Sequence, residues 1–371
     1  MENFIVRKAK NGEIKKIVKT ANAAFIPVRN PNYDFKRTIP KIYKTKNDYS
    51  NIHHVIEINN EFVSICGNLI RFIEIDNVKY KFSIVGTVST IPSYQNHGCM
   101  KNLMNSVDNE CKNENVVFSM LTGERQRYNF FGFEKAGFDF IYKFSKYFLK
   151  HHTAGSISIK NFKKSDCNNM FEIYKNSQIF NLRSKENFIE CLSDYRCKIY
   201  TIFDKKQFIG YFVVKKGEII EFFIQNLNLI ESIVYKIIEK LNFDELKIHI
   251  NPLHTNLCFA LDKIAQEVST VDNLHFKIYD TKKFIEMLLA INTKFRKFKN
   301  VKETYQIENE IIQISIKDNN FEVKKLTNSK KINARFTKQE FVRFALSIKN
   351  NYQINSDIFP VVFGIDICDL F

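Results

Sequence analysis

The residues whose types and spacing could do chemistry fall in two stretches. The first is Val85–Leu103, which reads V-G-T-V-S-T-I-P-S-Y-Q-N-H-G-C-M-K-N-L. β-Branched residues up to Thr90 predict a strand over Val78–Thr90, and Pro92 interrupts it. Beyond it, Met100, Leu103, Met104, Val107 and Cys111 recur at helical spacing, which predicts an amphipathic helix over Gly98–Asn113. The loop Gln95-Asn96-His97-Gly98 joins strand to helix. A helix start leaves backbone N–H groups without intrahelical partners and carries a positive partial charge. Gln95–Met100 would therefore present donors to a pyrophosphate, and Gly98 would let the backbone approach it without a Cβ in the way. The second stretch is Leu121–Gly137, L-T-G-E-R-Q-R-Y-N-F-F-G-F-E-K-A-G. Its Phe130, Phe131 and Phe133 read first as an aromatic core stripe, while Tyr128 adds a phenol.

The elements that must position these residues are legible around them. Phe4–Lys8 predicts a short strand, and Glu13–Phe25, apolar at Ile14, Ile17, Val18, Ala21 and Ala24, a helix. His54–Ile58 and Phe62–Phe72 predict strands joined by an Asn59-Asn60 turn, with Asp76-Asn77 turning into Val78–Thr90. Val116–Leu121 reads as a strand and Glu124–Phe131 as a short helix. Gly132 through Phe148 reads as a final strand pair. After a break at His151–Gly155 the order begins again. A strand at Ser156–Lys160 and a helix at Asp166–Asn176 lead into a meander over Cys197–Phe203, Phe208–Lys215 and Glu218–Gln225. The helix of Ile230–Leu241 and a strand at Leu246–Ile250 follow. The repetition predicts a diverged internal duplication. The last part holds a helix at Thr281–Ala290 and a hairpin of Glu303–Lys317 with Asn320–Leu326. Thr337 and Glu340 form a capping box before the helix Phe341–Ile348.

The Val-x-x-x-Pro of Val88 and Pro92, followed by Gln95-x-x-Gly98, resembles the cofactor loop of the GNAT superfamily of acetyltransferases. Met100 departs from that pattern, which has a small residue there. Tyr128, Phe131, Gly132 and Phe133 resemble the family's Tyr-x-x-Phe-Gly-Phe. The order of the whole chain is similar to the family of the enhanced intracellular survival protein. The resemblance implies an α+β (mixed α/β) fold: tandem GNAT-like units with V-splayed mixed sheets, then a small C-terminal α+β domain similar to sterol carrier proteins. It implies a catalytic, acetyl-CoA-binding domain over 1–150, a degenerate copy over 151–275 that lacks the loop, and the C-terminal domain over 276–371. It also implies that acetyl-CoA is the cosubstrate, wedged between the fourth and fifth strands. The backbone of Val88, Ser89 and Thr90 would pair with pantetheine amides, and Gln95, Asn96, His97, Gly98, Cys99 and Met100 would hold the pyrophosphate. Tyr128 would be the general acid, and the C-terminal carboxylate of Phe371 a candidate general base. The reaction implied is direct transfer to a primary amine, on a small molecule or a peptide lysine, by an enzyme that forms homo-oligomers.

Bulk properties narrow the alternatives. At roughly 150 residues per domain, 371 residues suggest two or three domains. No apolar run is long enough for a transmembrane helix, and charged Glu2, Arg7, Lys8 and Lys10 argue against a secretory signal. Cys66, Cys99, Cys111, Cys167, Cys191, Cys197, Cys258 and Cys368 form no Cys-x-x-Cys pair, which favours a reducing, cytoplasmic setting without zinc. His53-His54 and His151-His152 lack a third ligand at metal spacing, so no metal is expected. The net charge of +16 comes from lysines spread along the chain, with runs at Lys294–Lys302 and Lys324–Lys331. A basic polyanion-binding protein and an inactive GNAT scaffold, with Met100 crowding the loop, remain the alternatives.

Overall fold

The computed structural model describes residues 5–29, 31–194, 196–272, 274–348 and 354–371. Packing groups them into two compact units: Met1–Gly137 with Asn273–Val362 and Phe371, and Phe138–Asp272 with Phe363–Leu370. Phe4, expected to open the first strand, lies outside the described residues.

The first unit begins with β1 (Val6–Lys8), α1 (Ile14–Phe25) and two single-turn helices, α2 (Phe35–Thr38) and α3 (Pro40–Tyr43). Then come β2 (His53–Ile58), β3 (Glu61–Ile75), β4 (Val78–Thr90), α4 (Cys99–Asn113), β5 (Phe118–Leu121), α5 (Arg125–Asn129) and β6 (Glu134–Ala136). The hairpin turns form where expected, with left-handed φ at Asn59 (49°), Asn60 (65°), Asp76 (50°) and Asn77 (64°). Such paired left-handed turns match the twist of the strands they join. Successive residues of a strand point to opposite faces. Val55 and Ile65 accordingly pack with Ile17, Val18 and Ala21 of α1. Ile56 and Cys66 pack with Leu103, Met104, Val107 and Cys111 of α4. A polar seam also ties α4 to the sheet: His54 Nε2 lies 2.7 Å from Glu110 Oε2, and Asn68 donates to the same oxygen at 2.7 Å.

The second unit comprises β7 (Asp139–Ser145), β8 (Ile157–Asn161), α6 (Cys167–Ser177), α7 (Phe188–Leu192), β9 (Cys197–Asp204), β10 (Gln207–Lys215), β11 (Glu218–Ile224), α8 (Ile230–Leu241), β12 (Glu245–Ile250), α9 (Thr255–Asp262) and β13 (Glu267–Val271). The chain then returns to the first unit with β14 (Leu274–Ile278), α10 (Thr281–Asn292), β15 (Val301–Ile307), β16 (Glu310–Lys317), β17 (Asn320–Leu326), β18 (Ala334–Phe336) and α11 (Lys338–Leu346).

The first sheet runs β1-β2-β3-β4-β5-β14-β6, and the second, read from its far edge, β8-β9-β10-β11-β12-β7-β13. The two orders repeat strand for strand, so the duplication expected from the sequence is present in the topology. In each, the sixth place is filled by a strand distant in sequence. The final pair expected within 132–148 does not form: β6 and β7 lie in different sheets, and β14 pairs with both β5 and β6. Burial explains the choice. Phe276 of β14 is fully buried, its ring 6.1 Å from that of Phe118, and Phe118 also meets Phe284 of α10 edge-on. The span Glu303–Lys317, read as one strand, is two, β15 and β16, because the chain turns at Glu308 with φ 51°. These pair in the four-stranded sheet β17-β16-β15-β18, and the capping box at Thr337 and Glu340 forms as expected.

Between β11 and β12 of the second unit only Ile219 and Ile248 are in parallel register. The gap beyond them is lined by Phe222, Phe223, Ile250, Asn251, Asp366 and Ile367, with about 10 Å³ left. Segment 363–370 fills it and is held by charge. The fully buried Arg183 guanidinium grips Glu221 at 2.8 and 2.6 Å and Asp369 at 2.8 and 3.1 Å. Asp366 accepts from Gln178 at 2.7 Å and Asn251 at 3.2 Å. Removing one member of a buried ionic cluster strands the others without a counter-charge. Arg183→Leu is therefore expected to lower unfolding stability by about 3–5 kcal/mol, read as a shift of the urea midpoint; an unchanged midpoint would show that the cluster adds nothing.

Candidate functional site

In the first unit β4 and β5 run parallel in register only through Phe82 with Phe118, Ser83 with Ser119 and Ile84 with Met120. Beyond Ile84 the strands part, leaving the β5-facing edge of Val85–Thr90 without a strand partner. A cavity of about 810 Å³ opens in the divergence. One wall is Val88, Ser89 and Thr90, and Gln95, Asn96, Gly98, Cys99 and Met100 form its rim with Lys101. The opposite side is Glu124, Arg127, Tyr128 and Phe131, and Ala24, Phe25 and Arg29 close one end.

Asn96 (φ 67°) and Gly98 (φ 80°) are both left-handed, a conformation most side chains resist. Gly98 is the N-cap of α4 and supplies no side-chain cap, and the first turn carries no acidic residue. The positive end of α4 thus lies at the cavity rim with no acidic residue in its own first turn. No atom lies within 4 Å of where a Gly98 Cβ would stand, so this glycine is required first by its backbone angle. The Gln95 side chain turns inward and donates to the Thr90 carbonyl at 3.3 Å, closing the loop on its own strand.

Tyr128 sits across from the rim. Its ring lies against Gly123, where a Cβ would stand 2.3 Å from Cε2, so the strand-to-helix turn has room for the phenol only because residue 123 is glycine. Burial pushes the Tyr128 hydroxyl up to about 12, with Cys66 and Glu124 adding and Arg127 opposing. At neutral pH it is a phenol that can give a proton.

Of the nine residues expected at the cofactor loop and strand, Val88, Ser89, Thr90, Gln95, Asn96, Gly98, Cys99 and Met100 line this one cavity together with Tyr128. His97 is exposed and outside the lining; its Nδ1 lies 2.8 Å from the Gln95 carbonyl. Cys99 is 2% exposed. Phe371 is also outside the lining. Its ring rests on β3 and β4 at Gly67 and Gly86, two residues up the strand from Val88. Lys101, Arg127 and Arg29 went unnoticed in the sequence. Lys101 stands in the first turn of the expected helix and Arg127 next to Tyr128, so both were within reach of the motif. Arg29 had no local signal. The paired histidines diverge: His53 contacts Tyr43, and His54 contacts Ser106 and Glu110. Among the described residues no group of three or more His, Cys, Asp or Glu is placed to hold a metal, and no helix is long and apolar enough to cross a membrane.

Residues 5–136 match the family model of the acetyltransferase (GNAT) domain. The chain carries a GNAT acetyltransferase domain. The match covers β1 to β6 and so contains the cavity, apart from what β14 adds to the sheet. Solved structures extend the likeness to nearly the whole chain. A probable N-acyltransferase from Enterococcus faecalis V583 aligns with TM-score 0.64 at 15% identity, covering 92% of this chain and 90% of that one. A GCN5-related N-acetyltransferase from Anabaena variabilis gives 0.65 at 14% identity, over 92% and 89%. Eis1 from Mycobacterium abscessus gives 0.60 at 10% identity, over 91% and 88%. At such identities the likeness is one of fold. No curated protein sequence matches the chain. The match gives residues 5–136 an acetyltransferase fold, and the residues lining the cavity all fall within that stretch.

Calorimetric titration with acetyl-CoA is expected to give one site per chain in the wild type. Gly98→Trp should abolish it, since a side chain at φ 80° both strains the rim and covers its donors. Equal affinity in the variant would remove the rim from cofactor binding.

Proposed function

We propose that the protein is an N-acetyltransferase that moves the acetyl group of acetyl-CoA directly to a primary amine within a ternary complex. The observation that carries this reading is one cleft holding both an uncapped helix N-terminus and, facing it, a phenol kept protonated by burial. The first suits a pyrophosphate and the second a departing thiolate. When bound, acetyl-CoA supplies an activated thioester. The chain's part is to hold and orient it. Gln95–Met100 take the pyrophosphate, with Lys101 and Arg127 adding positive charge. The unpartnered edge of Val88–Thr90 pairs with the pantetheine amides as an added strand would. A backbone N–H of that edge polarises the thioester carbonyl. The amine nitrogen attacks the carbonyl carbon, the C–S bond breaks, and Tyr128 gives its proton to sulfur. The amine's extra proton goes to the carboxylate of Phe371.

The segments 1–150, 151–275 and 276–371 are assigned to catalysis, to scaffolding, and to a C-terminal domain similar to sterol carrier proteins. The scaffold assignment is supported by the filled gap between β11 and β12. The acceptor is an amine-bearing small molecule or peptide lysine, and the setting cytoplasmic, as a homo-oligomer; eight free cysteines suit a reducing compartment. One observation favours a second reading, that of an inactive scaffold: Met100 lines the cavity where the family pattern has a small residue.

Tyr128→Phe is expected to lower kcat by ~10²-fold with acetyl-CoA affinity nearly unchanged. Because the hydroxyl is raised to about 12, kcat should show no loss from Tyr128 ionisation between neutrality and the far alkaline range. Wild-type turnover in Tyr128→Phe would remove Tyr128 from the mechanism. Deleting Phe371 should cripple turnover while acetyl-CoA still binds. Full activity of the deletion would exclude its carboxylate as the base, and no turnover by the wild type with any amine would favour the scaffold.

A further inference from the structure

Two glycines of the first sheet are not explained by backbone conformation. Gly67 of β3 and Gly86 of β4 are register partners, directly opposite each other on neighbouring strands. Neither has a positive φ, so any residue could adopt their backbone, and a glycine inside a strand forgoes packing. What they share is a neighbour. A Cβ on Gly86 would stand 2.2 Å from Cγ and Cδ1 of Phe371 and 2.6 Å from its Cβ. A Cβ on Gly67 would stand 2.4 Å from Cζ and 3.0 Å from Cε2 of the same ring. The two missing side chains leave a notch that the ring occupies along its whole length.

The notch has a wall. The His53 ring meets Phe371 edge-on at 6.3 Å between centroids. His53 is itself fixed: Nδ1 lies 3.0 and 3.2 Å from the Tyr49 and Ser50 carbonyls, and Nε2 lies 2.9 Å from the Tyr43 hydroxyl. That hydroxyl in turn reaches Thr87 Oγ1 at 2.7 Å. Thr87, next to Gly86, has φ 48° and falls where the β3–β4 pairing skips residues, between Gly86 and Ser89. Burial lowers His53 to about 4, despite the two carbonyls, so the wall is neutral at ordinary pH.

We propose that Gly67 and Gly86 are positioning residues, which together form a seat for the Phe371 ring and thereby fix where residue 371 stands against β3 and β4. This rests on the reading of Phe371 as general base. The geometry also ranks the two. The Gly86 clash includes Phe371 Cβ, so rotating the ring cannot relieve it and the whole residue must move. The Gly67 clash involves the ring's far edge, which can swing aside, and a tighter-than-usual approach to the Gly86 carbonyl oxygen at 3.2 Å.

Gly86→Ala is expected to lower kcat tenfold or more with acetyl-CoA affinity within twofold of wild type, and Gly67→Ala to lower it less. The discriminating measurement is a double-mutant cycle with Phe371→Gly, which keeps the main-chain carboxylate but removes the ring. In that background Gly86→Ala should cost less than twofold. An equal loss in both backgrounds would show that the alanine acts elsewhere, and the seat would be overturned. Hydrogen exchange of the peptide 363–371 gives a readout separate from turnover. It should quicken in Gly86→Ala while peptides from α4 stay unchanged. Unchanged exchange in both alanine variants would also overturn the seat. If the Phe371 deletion proves fully active while Gly86→Ala quickens exchange, the base assignment fails and the seat stands. Should Gly86→Ala not fold, Gly67→Ala carries the same cycle.

Discussion

The parting of β4 from β5 is the constraint on which the rest of the site depends. Two parallel strands held in register over three residue pairs cannot stay paired once one of them breaks direction, and β4 does so at its irregular stretch around Thr87. From Val85 onward the strand has hydrogen-bonding groups on one edge with no strand to receive them. Buried backbone groups need partners, so such an edge either takes up another strand, binds a ligand, or is filled. In the first unit it faces a large cavity with a helix N-terminus at its rim.

The second unit shows the other outcome on a near-identical topology. Its β11 and β12 also part, after a single parallel pair, but the gap is packed by segment 363–370. The filling brings Asp366 and Asp369 into the interior, and Arg183 answers Asp369 together with Glu221 of β11. The loop between β11 and α8 has no glycine to open a left-handed rim, and the first turn of α8 carries Glu231 where that of α4 carries no acid. One fold, twice used, thus holds an open cleft where the loop has Asn96 and Gly98 and a filled one where it does not.

Small residues do separate jobs in the first unit, and the distinction is physical. Gly98 is needed for its φ, since open space surrounds its missing Cβ. Gly123, Gly67 and Gly86 are needed for volume, since an aromatic ring lies where a side chain would start. Tyr128 and Phe371, the two residues assigned to proton transfer, are each seated against glycine. A ring so held has few rotamers left, which matters for a group that must meet a reacting atom within a fraction of an ångström.

Much of this was readable in the chain. The period-2 and period-3.6 patterns located β2 to β4, α1, α4 and α8 to within a few residues, because each buries one face on a continuous core. The Gln95–Gly98 loop and Tyr128 were legible as a pair because the loop's conformation needs particular residue types at fixed spacing. What the chain could not show is pairing at long range. The place of β14 beside β5, the departure of β7 to the other sheet, and the ring of Phe371 over Gly67 and Gly86 leave no periodic trace. They are settled by which surfaces can be buried together. Local sequence therefore determined the strands, the helices and the left-handed Gln95–Gly98 loop, whose geometry follows from backbone angles a few residues allow. Tertiary structure alone decided which strands share a sheet, which of two equivalent gaps stays open, and which side chains reach it. Those choices depend on packing between residues hundreds of positions apart.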